Sequence, residues 1–312
     1  MHVDPYIVLG SAVVGLLVGM TGAGGGALMT PMLILLFGVK APSAISSDLV
    51  AAVLMRPFGA AVHLRRRTVN LRLVGWLTLG SVPMAFLGAY LLHLFGGASD
   101  RVEQALGAAL LIGAAAMIIR YVLDVRGGHS RDGAVHQIVV RPVPSVLIGM
   151  VGGVIVGMTS VGSGSLMIVL LLFLYPAIGA SQLVGTDLTQ AVPLTFAAAL
   201  GALAFGHVEF GVTAAIAIGS VPAVLIGSML SSHAPDKLLR PVITFVILAS
   251  GLKYAGVPTM TLGWVLGGVL VVAAVAVAVW QARRRWRPAP VPDKEAQPAT
   301  SAADSAPRLG GG

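Results

Sequence analysis

Long apolar runs, separated by short polar or glycine-rich stretches, fill the chain from its first residues to about residue 281. Read run by run, they predict membrane segments at 6–21, 27–39, 44–64, 71–95 and 102–123. A second set follows at 142–158, 164–176, 181–205, 211–231 and 236–256, and one more at 262–281. Continuous runs of this kind suit helices crossing a ~30 Å hydrocarbon core and exclude a β-barrel of alternating strands. The first run lacks a basic leader and is read as a membrane helix, not a cleaved signal. Segments 27–39 and 164–176 each hold thirteen residues (39 − 27 + 1; 176 − 164 + 1). That is only roughly 20 Å of helix. Each short segment follows a glycine-rich break.

The two sets of runs are related. Gly19-Met20-Thr21-Gly22-Ala23-Gly24-Gly25-Gly26-Ala27-Leu28-Met29 aligns with Gly157-Met158-Thr159-Ser160-Val161-Gly162-Ser163-Gly164-Ser165-Leu166-Met167 at an offset of 138 (157 − 19). After one insertion the offset is 139. Ser47-Asp48-Leu49 then meets Thr186-Asp187-Leu188, Gly80-Ser81-Val82-Pro83 meets Gly219-Ser220-Val221-Pro222, and Arg101 meets Arg240. The expected organisation is a first transmembrane repeat over 1–128, a basic loop over 129–141 and a second repeat over 142–257. An extra helix over 258–282 and a disordered tail over 283–312, rich in proline, alanine, serine and glycine, complete the chain. Internal duplication is a mark of secondary transporters, which bind substrate between the repeats near the bilayer midplane. Ancestry alone is the competing explanation of the duplication.

Composition agrees with the pattern. Hydrophobic residues make up 56% of the 312 positions and charged residues 10%, against about 25% charged in soluble domains; mean hydropathy is +0.91. The fold class is therefore all-α: a polytopic membrane protein of two repeats with short broken helices and about 9–11 membrane segments. The net charge of +8 does not mark a nucleic-acid face, because the arginines gather between apolar runs and in the tail, as the positive-inside rule predicts. With no cysteine, disulfides and thiolate metal centres are excluded, and no metal or other cofactor is expected.

Polar groups inside apolar runs are the candidate chemistry. Gly22-x-Gly24-x-x-Ala27 with Asp48 beyond it imitates a dinucleotide fingerprint, but its setting is membrane helix rather than a strand–turn–helix unit, and the second copy loses the pattern. The breaks have a better reading. Unwound glycine and serine at mid-depth leave backbone N–H groups of the following short helix free, and those donors suit an anion. Thr21, Gly24, Gly25 and Gly26, with Thr159, Gly162, Ser163 and Gly164, are the expected substrate-binding positions. Close helix packing of small residues is the alternative account. Besides histidine, Asp48, Arg56 and Asp187 are the ionisable groups within the runs. Such groups are costly in a bilayer and mark function by default. Asp48 and Asp187 are expected either to cap their helices or to couple transport to a proton or cation. Arg56, whose counterpart is the neutral Thr195, presents a planar cationic fork that matches an oxyanion.

These residues together resemble the sulfite exporter TauE/SafE family. The resemblance rests on Gly22-Ala23-Gly24-Gly25-Gly26-x-Leu28-Met29-x-Pro31, Ser47-Asp48-Leu49, Val184-Gly185-Thr186-Asp187-Leu188, the two Gly-Ser-Val-Pro blocks and His63-x-Arg65-Arg66, and it spans about residues 6–256. It implies a multi-pass permease of the bacterial inner membrane for sulfite, sulfonates or related organic anions. The expectation is thus a secondary transporter of small anions and not an enzyme, its partners the anion and the lipid bilayer, with a homo-oligomer left open. A non-transporting scaffold and an intramembrane enzyme are the competing classes; no nucleophile–base pair supports the latter. The arginine-rich stretches 65–72, 120–141 and 283–287 are expected on the cytoplasmic side. Inverted repeats of five spans per half, with the N-terminus outside, are expected; re-entrant short helices would instead leave four spans and parallel repeats.

Overall fold

The computed structural model describes residues 3–21, 25–95, 99–126, 138–162, 164, 166–175, 178, 180–230, 236–258, 261 and 268. Met1–Leu262 form one compact unit and Gly263–Gly312 a second. The expected extra helix and tail fall outside the described residues, apart from 258, 261 and 268.

Among the described residues, ten helices carry the first unit: α1 (Pro5–Thr21), α2 (Gly26–Phe37), α3 (Ala41–Arg65), α4 (Leu71–Phe95), α5 (Ser99–Arg126), α6 (Pro142–Thr159), α7 (Leu166–Leu174), α8 (Ala180–Phe205), α9 (Phe210–Leu230) and α10 (Asp236–Tyr254). No strand occurs among the described residues. Among them, six helices are long and apolar enough to span a bilayer, within α3, α4, α5, α6, α8 and α9. The short segments are shorter than expected: α2 has 12 residues and α7 has 9. Glycine and proline set several ends. Gly38 adopts φ +65° to close α2, and a proline in the first turn opens α3 and α6. Large apolar side chains such as Leu9, Leu36, Leu79 and Phe173 point outward, as lipid-facing helices require.

Helix directions follow from the close approaches. A Cβ on Gly10 of α1 would meet Met32 Sδ of α2 at 2.9 Å and Phe37 at 3.3 Å, so α1 and α2 form a hairpin. α2 runs antiparallel to α3, with Gly25 against Met55 and Thr30 against Asp48. The tightest junctions join opposite halves of the chain. Gly80 and Gly88 of α4 face the carbonyls of Val146 and Val154 on α6, while Gly219 and Gly227 of α9 face those of Val8 and Leu16 on α1. The glycines differ by 139 (219 − 80; 227 − 88) and the carbonyls by 138 (146 − 8; 154 − 16). These are the offsets of the sequence alignment. A side chain at any of these glycines would push two backbones apart, so the helices meet at glycine and gain dense van der Waals contact in return.

The matched helices run in opposite directions. The start of α3 meets the end of α8, where Glu209 N donates to Ser47 Oγ at 3.0 Å. The end of α3 meets the start of α8, where Asn70 N donates to Thr186 Oγ1 at 3.2 Å. In α5 and α10, Gly107 lies against Tyr254 and Gly251 against Leu111, again antiparallel. Among the helices that the sequence alignment pairs, α3 and α8 run in opposite directions, and so do α5 and α10. The linkage of re-entrant short helices to parallel repeats does not hold, and the hairpin is the reason. Because α2 returns along α1, three further helices remain in each half, and an odd number reverses direction whether or not the hairpin crosses fully.

Candidate functional site

The breaks in the two halves meet. α2 begins at Gly26 with no side-chain cap on its first turn, and a Cβ on Gly26 would collide with the carbonyl of Ser160. Ser160 ends α6 in a left-handed conformation, φ 57°, donating its N–H to Val156 O at 2.7 Å. A non-glycine residue there is uncommon and carries strain. Beyond it, Gly162 and Gly164 take φ +123° and +95°, values that a side chain resists. Gly162 O accepts from Met167 N at 3.2 Å and so leads into α7.

At this junction the carboxylate of Asp48 ties three elements together. Its Oδ2 accepts from Thr30 Oγ1 of α2 at 3.0 Å and from Ser160 Oγ at 2.8 Å. Thr30, Asp48 and Ser160 are all buried, at 0%, 1% and 1% exposure. Helix capping by Asp48 and Asp187 is corrected by the structure. α3 starts at Ala41 and α8 at Ala180, so each aspartate lies seven residues inside its helix (48 − 41; 187 − 180). Pro42 starts α3 earlier than the Ser47-Asp48 pair suggested, and the residue before the helix, Lys40, makes no side-chain cap.

Arg56 lies two turns further along α3 and is 6% exposed. Its Nη1 and Nη2 are buried without a hydrogen-bond partner among the described residues. Asp48 and Asp187 both attract it electrostatically. Met55, its neighbour in sequence, packs against the start of α2: a Cβ on Gly25 would stand 2.6 Å from Met55 Cε. The first turn of α2 and the turn of α3 bearing Arg56 are therefore adjacent. On α8, one turn beyond Asp187's own, Gln190 Nε2 donates to Ser81 Oγ of α4 at 2.7 Å, and both side chains are fully buried.

Not every expected position serves this junction. Thr159 spends its hydroxyl on its own backbone, donating to Ile155 O at 2.6 Å and accepting from Val161 N at 3.2 Å. Thr195, the counterpart of Arg56, likewise donates to Ala191 O. Gly24 and Ser163 lie outside the described residues, and Thr21 is the last residue of α1. Thr30, Ser81 and the matched clasps at Ser47 and Thr186 were not singled out by the sequence reading as site residues. Thr30, a lone polar residue before Pro31 in an otherwise apolar short helix, was the available signal. A separate apolar cavity of about 210 Å³ is lined by Leu92, Phe95, Val102, Ala105 and Met158, none of them polar. It offers an anion nothing to bind.

Among curated proteins, the chain is similar to the probable membrane transporter protein YjnA of Bacillus subtilis (strain 168). The two are 40% identical over 251 residues, which cover 79% of this chain and 98% of the relative. It is also similar to the probable membrane transporter protein YdhB of the same organism, 24% identical over 250 residues with the same two coverages. No solved structure matches the chain. With a match to the family model of the sulfite exporter TauE/SafE over residues 7–254, the chain belongs to that family and is a multi-pass membrane permease.

Proposed function

We propose that the permease carries small oxyanions, sulfite or organic sulfonates, and that Arg56 is the fixed positive charge that receives them. The buried guanidinium of Arg56, whose Nη1 and Nη2 have no hydrogen-bond partner among the described residues, carries this reading. A cation buried in a membrane protein costs several kcal/mol, and the two aspartates that attract Arg56 leave its Nη donors without a hydrogen bond among the described residues. A sulfonate or sulfite oxygen pair matches the guanidinium fork. The uncapped first turn of α2 beside Met55 adds backbone donors and the positive end of a helix dipole. The name of the family supports sulfite, and the chemistry of the site supports any tetrahedral or pyramidal oxyanion of similar size.

The proposal includes residence in the inner membrane of a bacterium with α1 entering from outside. All-helical spans suit that membrane, both relatives are bacterial, and this orientation puts Arg65–Arg67 and Arg141 inside together. The repeats over 1–128 and 142–257 supply one half-site each, and transport would proceed without chemical change to the anion.

The test is counterflow of labelled sulfite and methanesulfonate in proteoliposomes at matched protein content. Arg56→Lys keeps the charge but loses the fork and should retain part of the flux; Arg56→Gln should lose most of it. Wild-type flux and affinity in Arg56→Gln would overturn the role of the arginine.

A further inference from the structure

The buried charges of the junction do not balance. Among the described residues the buried charged side chains are Asp48, Arg56 and Asp187, a formal sum of −1 from one cation and two carboxylates. An anion seated on Arg56 would take that sum to −2 in a region with little water. Like charges gathered in a low-dielectric interior repel strongly. Resting on the anion-site reading, we infer that Asp48 carries a coupling cation, a proton or a sodium ion, that neutralises its carboxylate whenever an anion is taken up.

Position selects Asp48 for this role. Its carboxylate joins α2 to the end of α6, across 112 residues of sequence, through two hydroxyls on one oxygen. Among the described residues the charged group acting on it is Arg56. The polar groups acting on it are Thr30 from α2 and Ser160 from α6; α4, α5, α8 and α9, also packed on α3, present none directly to it. Asp187 from α8 enters through its attraction to Arg56. Hydrogen bonds to an ionised acceptor are roughly twice as strong as neutral ones. Neutralising Asp48 therefore loosens the tie between the two halves at the point where the breaks cross. Loading is thereby linked to movement: an anion on Arg56 draws the arginine's field from Asp48, the cation arrives, and the Thr30–Asp48–Ser160 bridge weakens. For sodium, the same carboxylate and the two hydroxyls are the oxygen ligands on offer.

The experiment uses the full chain in proteoliposomes with methanesulfonate, which stays ionised across the pH range. Counterflow reports anion binding and exchange; net accumulation under an imposed gradient reports coupling. A one-unit pH gradient, or a tenfold sodium gradient, should drive about tenfold accumulation per coupled cation, and the arm that works identifies the ion. Asp48→Asn should lose accumulation under both gradients, and Asp48→Glu should restore it in part. Accumulation at the wild-type level in Asp48→Asn would overturn the assignment. So would a wild-type protein that exchanges the anion but responds to neither gradient, a result independent of how the variants fold. Absence of wild-type counterflow for both sulfite and methanesulfonate would instead sink the anion reading itself, and the coupling role with it.

Discussion

Replacing Gly26 with alanine tests the crossing of the two breaks directly. The new Cβ would stand 2.6 Å from the Ser160 carbonyl carbon and 2.7 Å from its Oγ, with the carbonyl oxygen nearer still; ordinary contact begins at 3.4 Å. The atoms in the way are mostly backbone, so they must move by at least 0.8 Å (3.4 − 2.6). Ser160 Oγ now donates to Asp48 at 2.8 Å. A shift of that size away from α2 carries it to the edge of hydrogen-bond reach. Losing a hydrogen bond to a charged group costs about 1.5–3 kcal/mol, and overpacking costs about 1–3 kcal/mol. The variant should therefore lose roughly 2.5–6 kcal/mol and most of its flux. Gly75→Ala is the internal control. Gly75 is exposed on α4, and a Cβ there meets nothing within 4 Å. It should be neutral or gain up to about 1 kcal/mol from helix propensity. Thermal unfolding in detergent, followed by flux on the same samples, reads both. An unfolding midpoint for Gly26→Ala within about 1 °C of wild type would refute the contact and the arithmetic built on it.

Two further results are expected. Gly88→Ala and Gly227→Ala place a methyl against Val154 O and Leu16 O in matched junctions, so each should cost about 1–3 kcal/mol. Thermal unfolding of both variants checks this, and a large effect at one with none at the other would break the equivalence of the junctions. Because the chain has no cysteine, single replacements report orientation: Val139→Cys beside Arg141 should react with an impermeant maleimide only from the cytoplasmic side, and His207→Cys only from outside. Labelling of both from one side would overturn the inverted arrangement.

The helices were legible because apolar runs end where charge, glycine or proline begins. The expected 71–95 is α4 as observed, and 142–158 differs from α6 by one residue. Burial of Asp48, Arg56 and Asp187 was legible for the same reason: charges inside long apolar runs have nowhere else to go. The partners of Asp48 were not. Thr30 lies 18 residues away and Ser160 lies 112 away, and no local pattern encodes which hydroxyl meets which carboxylate. The capping error has a local cause. Ser47-Asp48 looks like a helix start, but Pro42 had already fixed one upstream, and the small residues between them join the helix without an amphipathic signature. Thr159 misled in the opposite direction: its hydroxyl, promising in sequence, bonds back to its own helix.

The exchange of partners between halves sets the order of assembly during synthesis. α1 is complete at Thr21, but the α9 surface its glycines fit is complete only at Leu230, 209 residues later (230 − 21). At ~5–20 residues per second, that interval is roughly 10–40 s. Throughout it the nascent α1–α2 hairpin has lipid or translocation machinery where a helix will later stand. The N-terminal half cannot reach its final packing ahead of the C-terminal half, since α4 also awaits α6. A ribosome that stops between the halves leaves membrane-inserted helices whose glycine faces have nothing to close on, a substrate for quality-control proteolysis and not a half-strength carrier.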